Sequence, residues 1–221
     1  MEDFGHECEG GRSMRRTAQI DLFIDKYGID AAFAMLSKLG YQYAAYELNE
    51  VKTEPNFANW TEEEMKARFE AIREVAIRHG IEMTYVTMSK GIYNDLLPST
   101  FETRKKWCTQ AVKAAAYMGS KVVAIQPVFF YSRKKDIYEL SKQLTEEVLA
   151  EMKPVAEDRG IQLGFMNNLQ KNAYGTKGEE LLQLARNYDA KILIDPSFAR
   201  RAEEDISGLL RTVGKETFAF F

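Results

Sequence analysis

Four glycines, Gly40, Gly80, Gly119 and Gly160, divide the chain at spacings of 40, 39 and 41 residues. Each closes an amphipathic, helix-like stretch and opens a short apolar run, as in Lys38-Leu39-Gly40, Arg78-His79-Gly80, Tyr117-Met118-Gly119 and Arg159-Gly160. Glycine takes the left-handed conformation just past a helix end without steric cost. A polar last turn, a glycine and a β-rich run therefore read as a helix stop feeding a strand. Repetition of that unit builds a parallel sheet from βα modules.

The pattern predicts strands over 17–23, 41–48, 81–88, 121–126, 161–166, 191–195 and 217–221. Helices are expected from Asp30, then over 61–79, 101–118, 136–159, 178–188 and 206–213. Thr61 and Glu64 form a capping box for the second of these, and Pro154 is expected to kink the long fourth one or restart it. No Gly-x-Gly-x-x-Gly follows a strand and no phosphate-binding Gly-x-x-x-x-Gly-Lys-Ser/Thr occurs, so nucleotide-binding readings lose their anchor. A barrel and a doubly wound sheet both fit, and the even period favours the barrel. The expected fold class is α/β: an incomplete TIM-like barrel of about seven parallel strands, with residues 1–16 a flexible lead-in and 17–221 one barrel domain. The apolar run Phe218 to Phe221 is expected as an edge strand that promotes association.

A net charge of −3 argues against a protein built to bind a nucleic-acid backbone. Cys8 and Cys108 fit neither a zinc motif nor a disulfide framework, and Cys108 reads as a buried apolar side chain. The acidic lead-in has no hydrophobic region of a signal peptide, and no apolar run approaches a membrane span. A cytoplasmic protein is the expectation.

In a βα barrel, chemistry sits at the carboxyl ends of the strands. Those ends carry Glu47 and Asn49, Ser89 and Lys90, Gln126, Asn167 and Asn168, and Asp195 and Ser197. A ring of carboxylates and amides suits a polyhydroxylated ligand, because each hydroxyl both donates and accepts hydrogen bonds. The same residue types also serve as helix caps and turn formers. Phe129-Phe130-Tyr131 is a candidate apolar wall against a sugar ring. The clusters Arg104-Lys105-Lys106 and Arg133-Lys134-Lys135 read as solvated helix entrances, and His79 as a cation on a helix carboxyl end.

The succession Leu39-Gly40-Tyr41…Tyr46-Glu47-Leu48, Met118-Gly119-Ser120-Lys121-Val122-Val123, Arg159-Gly160-Ile161-Gln162-Leu163 and Ile192-Leu193-Ile194-Asp195 resembles the xylose-isomerase-like TIM barrels over residues 17–221. That family holds sugar and sugar-phosphate isomerases and epimerases. The resemblance implies a divalent cation held by a Glu on strand five, an Asp and at times a His on strand six, a His on strand seven and a Glu on strand eight. Here Met166 stands at the strand-five position, Asp195 is kept, Phe198 replaces the strand-six His, and Phe218-Ala219-Phe220-Phe221 offers no His. Glu47 matches a recurrent family Glu of the substrate pocket.

The resemblance thus implies a sugar or sugar-phosphate isomerase/epimerase-type barrel without the usual metal site. Glu47 and Asp195 are expected as catalytic residues, with Lys90, Gln126, Asn167 and Asn168 binding substrate and no cofactor. The alternative is a non-catalytic binding barrel that needs a partner chain. The expected partners are a small sugar-like molecule and a second copy or partner subunit, with neither membrane nor nucleic acid.

Overall fold

A computed structural model describes residues 15–49, 54–88, 98–128 and 137–220 of the chain. Seven strands form one sheet: β1 (Thr17–Gln19), β2 (Tyr43–Leu48), β3 (Glu82–Met88), β4 (Val122–Ile125), β5 (Gln162–Met166), β6 (Lys191–Ile194) and β7 (Thr217–Phe220). Their spatial order equals their chain order, and every pair is parallel. This order separates the two architectures that the sequence leaves open. A doubly wound sheet reverses direction at a switch point, whereas winding in one sense leads to a barrel. Among the described residues β1 pairs only with β2 and β7 only with β6, so the fold is an incomplete TIM-like barrel, as expected.

The helices are α1 (Asp21–Tyr27), α2 (Ile29–Lys38), α3 (Glu62–Arg78), α4 (Pro98–Met118), α5 (Tyr138–Arg159), α6 (Gly178–Tyr188), α7 (Pro196–Arg201) and α8 (Ile206–Val213). The four spaced glycines all have positive φ, between 63° and 78°, as the helix-stop reading requires. Thr61 caps α3 reciprocally: its Oγ1 accepts the Glu64 N–H at 3.2 Å, and Glu64 Oε2 accepts the Thr61 N–H at 2.7 Å. One expectation is corrected. The first strand stops at Gln19, because the chain turns into α1 at Asp21. α5 runs on through Pro154 without restarting.

Period-two alternation sorts the strand residues between two cores. Ala44, Tyr46, Leu48, Val86, Val123, Ile125, Leu163, Phe165, Ile192 and Ile194 face the helices, where Phe33, Phe69, Ile72, Val112, Met118, Leu149 and Leu181 cover them. Cys108 is buried there as expected. Ala45, Tyr85, Val122, Ala124, Met166 and Leu193 form a separate inner cluster, with Phe198 and Ala219 packed against it. The inner layer is tight: a Cβ built on Gly164 would lie 3.1 Å from Leu193 Cδ1 and 3.2 Å from Ala124 Cβ.

Outside the barrel, Glu62 of α3 accepts hydrogen bonds from Lys113 Nζ at 2.8 Å, Arg159 Nη2 at 2.5 Å and the Tyr117 hydroxyl. The Lys113 and Tyr117 bonds, followed by that of Arg159, outweigh desolvation and hold the Glu62 carboxyl down to about 2. A carboxyl whose folded pKa is lowered stabilises the fold above its unfolded pKa, and that contribution fades as pH falls toward the folded value. The cluster is half-exposed, which limits it to about 1 kcal/mol. Glu62→Gln should therefore lower the urea midpoint at pH 7, and the gap to the parent protein should narrow steadily between pH 4.5 and pH 3. A gap independent of pH would show that the carboxylate charge contributes nothing.

Candidate functional site

The inner apolar layer fixes where polar chemistry can begin. Two residues beyond Ala45, Tyr85, Ala124, Met166 and Leu193, toward the carboxyl ends of the strands, stand Glu47, Thr87, Gln126, Asn168 and Asp195. Side chains two apart on a strand share a face. The apolar floor of the barrel is therefore followed by a polar layer at the rim where βα loops meet. Glu47 and Thr87 are partners in the β2–β3 register, which makes them neighbours on that layer.

Glu47 is half-buried near the end of β2, and its Oε2 accepts a 2.5 Å hydrogen bond from Gln19 Nε2. Its own N–H donates to Asp21 Oδ1 at 3.3 Å. Asp21 is 1% exposed, and its Oδ2 has no hydrogen-bond partner. Burial raises the Asp21 pKa, partly opposed by the hydrogen bonds from the Glu47 backbone and the Gln19 side chain. Gln19 and Asp21 escape the sequence reading because the run Thr17 to Phe23 looks like one strand. The signal that could have found Asp21 is an acidic residue in the first turn of a helix.

Gln126 follows β4 and is buried. Its Nε2 donates to Asn168 Oδ1 at 3.4 Å, and its carbonyl accepts from Arg104 Nη2 at 3.2 Å. Arg104 is 5% exposed, so it is no solvated entrance residue. The amide of Asn168 also organises its loop, with Nδ2 donating to Tyr174 O at 2.9 Å and Oδ1 accepting the Gln170 N–H at 3.2 Å. Asn167, one residue earlier, serves the neighbouring strand end: Oδ1 accepts the Asp195 N–H at 2.8 Å and Nδ2 donates to the Asp195 carbonyl at 3.0 Å.

Asp195 caps α7. Its Oδ1 accepts from Ser197 N at 2.7 Å and Phe198 N at 3.3 Å, and Pro196 occupies the first helical turn. Oδ2 takes no part in that cap. Strand six, expected to run through Asp195, ends at Ile194, and α7 follows where no helix was expected. The Asp-Pro-Ser signal of a capped helix start is the one that could have found it. The structure thus joins Gln126 to Asn168 and Asn167 to Asp195, and places Glu47 with Gln19 and Asp21. Lys90, Phe129, Phe130, Tyr131 and the Arg133 cluster lie outside the described residues. His79 ends α3, with Nε2 3.1 Å from Asp30 Oδ1, far from this rim in the fold.

Met166 and Phe198 belong to the inner apolar layer. Thioether and phenyl groups offer no oxygen to a hard cation. Among the described residues no group of three or more His, Cys, Asp or Glu side chains is gathered as for a metal ion. Of the ligand positions that the resemblance implies, the described residues keep Asp195 and carry Met166 and Phe198 at two others. Tyr85, on the same inner layer, has its hydroxyl pKa pushed up to about 12 by burial and stays protonated.

The sequence matches the xylose isomerase-like TIM barrel family over residues 33–217. The chain belongs to that family. Its fold is similar to a putative xylose isomerase from Rhodospirillum rubrum, at TM-score 0.70 and 14% identity, covering 94% of this chain and 76% of that one. The 3-keto-D-glucoside 4-epimerase YcjR from E. coli aligns at TM-score 0.68 and 11% identity, over 94% and 78% of the two chains. D-psicose 3-epimerase with D-tagatose, from Clostridium cellulolyticum H10, aligns at TM-score 0.65 and 15% identity, over 94% and 72%. No curated protein matches the sequence significantly. Among the described residues no helix is long and apolar enough to cross a membrane.

Proposed function

We propose that this barrel binds a small polyhydroxylated sugar or sugar phosphate at its polar rim, and isomerises or epimerises it without a resident metal. The observation that carries the reading is the polar layer of Glu47, Thr87, Gln126, Asn168 and Asp195 directly above an apolar floor, in a barrel of the sugar isomerase and epimerase type. Amides and a hydroxyl hold sugar hydroxyls, while the apolar floor excludes water beneath the ring. Strands β2 and β6 lie four places apart in the curled sheet, so Glu47 and Asp195 flank the mouth from opposite sides. Two carboxylates on opposite faces of a substrate suit proton removal from one face of a carbon next to a carbonyl and return to the other. Asn167, with both ends of its amide on the Asp195 backbone, positions that carboxylate rather than the sugar.

The test is saturation-transfer NMR with ketoses, aldoses and their phosphates, run beside elemental analysis of the purified protein. Binding of at least one sugar, unchanged by EDTA, is the expected result. Stoichiometric divalent metal that is lost in Asp195→Ala would overturn the metal-free reading, and no sugar binding at all would overturn the substrate class. One observation favours a binding-only barrel: Asp195 Oδ1 is committed to the α7 cap. Sugar binding with no hydrogen exchange at carbon is the result that would select it.

A further inference from the structure

Glu47 shares its end of the barrel with two polar side chains, one from the first strand and one from the helix after it. Gln19 is the register partner of Ala45, which belongs to the inner apolar layer. Registered residues on neighbouring strands point to the same face. The Gln19 side chain therefore starts one layer below the rim and reaches up to Glu47 Oε2 at 2.5 Å. Asp21 opens α1 and accepts the Glu47 N–H on Oδ1 at 3.3 Å. The Gln19 side chain also hydrogen-bonds Asp21. One amide thus lies between two carboxyl groups.

An amide can offer a neighbour its oxygen or its N–H groups, whereas an ionised carboxylate only accepts. With Glu47 on one side and Asp21 on the other, only the N–H edge of Gln19 fits between them. Asp21 adds a charge as well as an acceptor. It is 1% exposed and its Oδ2 has no hydrogen-bond partner, a costly state for a carboxylate that serves packing alone. The described groups that face Glu47 are Gln19 of β1, Asp21 of α1 and Thr87 of β3, and of these Asp21 is the charged one. Gln19 and Asp21 act on Glu47 in opposite senses. A donated hydrogen bond favours the ionised carboxyl and lowers its pKa, while a second negative charge nearby disfavours that form and raises it. A glutamate at its ordinary pKa is a weak base at neutral pH, and it gains strength as its pKa rises toward the working pH.

We propose that Gln19 and Asp21 are positioning residues for Glu47. Gln19 holds the Glu47 carboxylate through one N–H. Asp21 fixes the Gln19 amide in that orientation, and its negative charge makes Glu47 the stronger base. The inference rests on the reading of Glu47 as a base in the reaction proposed above, but the hydrogen bonds and charges are present without any sugar, so the two can fail separately.

The test is a pH titration of the full chain, carrying ¹³C-labelled carboxyl groups, by NMR, with the Glu47 signal identified by its loss in Glu47→Gln. Gln19→Leu removes the donor and should raise the Glu47 midpoint by at least about half a pH unit. Asp21→Asn keeps an oxygen in the place of Oδ1 but removes the charge, and should lower the midpoint by a similar amount. A role in packing alone predicts no such pair of opposite shifts. Shifts of the same sign, or none in either variant, would overturn the proposal. Gln19→Met and Asp21→Ser carry the same test if either first variant gives no folded spectrum. In the presence of an exchanging sugar, the acid limb of deuterium incorporation from D₂O should move with the Glu47 midpoint in each variant. Opposite midpoint shifts with no exchange in any sugar would uphold the positioning of Glu47 and overturn the reaction instead.

Discussion

Glu47→Gln is expected to reduce deuterium incorporation from D₂O into a bound sugar by at least about 100-fold, the usual contribution of one positioned general base. The variant keeps the side-chain shape, and its amide oxygen can still accept the hydrogen bond from Gln19 Nε2. Sugar binding should therefore change only a few-fold, which separates loss of the base from loss of the pocket. Asp195→Asn is the informative companion, because asparagine caps a helix about as well as aspartate. It keeps α7 in place and removes only the charge. If the two carboxylates work on opposite faces, Asp195→Asn stops conversion between epimers while Glu47 continues to exchange the hydrogen of one of them. Exchange unaffected by either substitution would remove both residues from the chemistry.

The parts of this fold that the sequence displayed openly are those governed by local backbone rules. Gly40, Gly80, Gly119 and Gly160 announce helix ends because positive φ is strongly selective for glycine. The rim positions follow because strands alternate, so Glu47 and Asp195 could be placed from the strand ends alone. The parts that stayed hidden depend on which way one residue turns. Asn167 and Asn168 are the same residue type side by side, yet one amide is consumed by the Asp195 backbone and the other reaches Gln126 and the Tyr174 carbonyl. Asp21 was masked by Ile20, Leu22 and Phe23, whose apolar character continues a strand pattern across a helix start. Arg104 sits in an Arg-Lys-Lys run that reads as solvated, while helix α4 turns that one cation inward to the Gln126 carbonyl. Lys105 beside it stays with the surface carboxylates Glu102 and Glu151.

The largest stability effect at the rim should come from Gly175→Ala. Gly175 lies in the loop after β5 at φ +78°, and a Cβ there would stand 2.5 Å from Cγ of Pro127, which follows β4. Left-handed backbone strain costs a non-glycine residue about 1–2 kcal/mol, and forced overlap with packed atoms adds about 1–3 kcal/mol. The sum of about 2–5 kcal/mol corresponds to roughly 4–20 °C in Tm for a chain of this size. Gly40→Ala is the matched control: its φ is +78°, but no heavy atom lies within 4 Å of the added carbon. It should show the strain alone, a Tm loss of about 2–8 °C. The difference between the two variants isolates the contact with Pro127. That contact bears on the site, because Gly175 O accepts the Asn168 N–H at 2.8 Å and the Pro127 carbonyl accepts from Asn168 Nδ2 at 3.4 Å. Pushing the two loops apart moves Asn168 away from Gln126, so Gly175→Ala should weaken sugar binding at temperatures well below its own Tm, whereas Gly40→Ala should leave it intact. Equal losses of Tm in the two variants would show that Pro127 yields freely and that the close approach of these loops is not what holds the amide pair together.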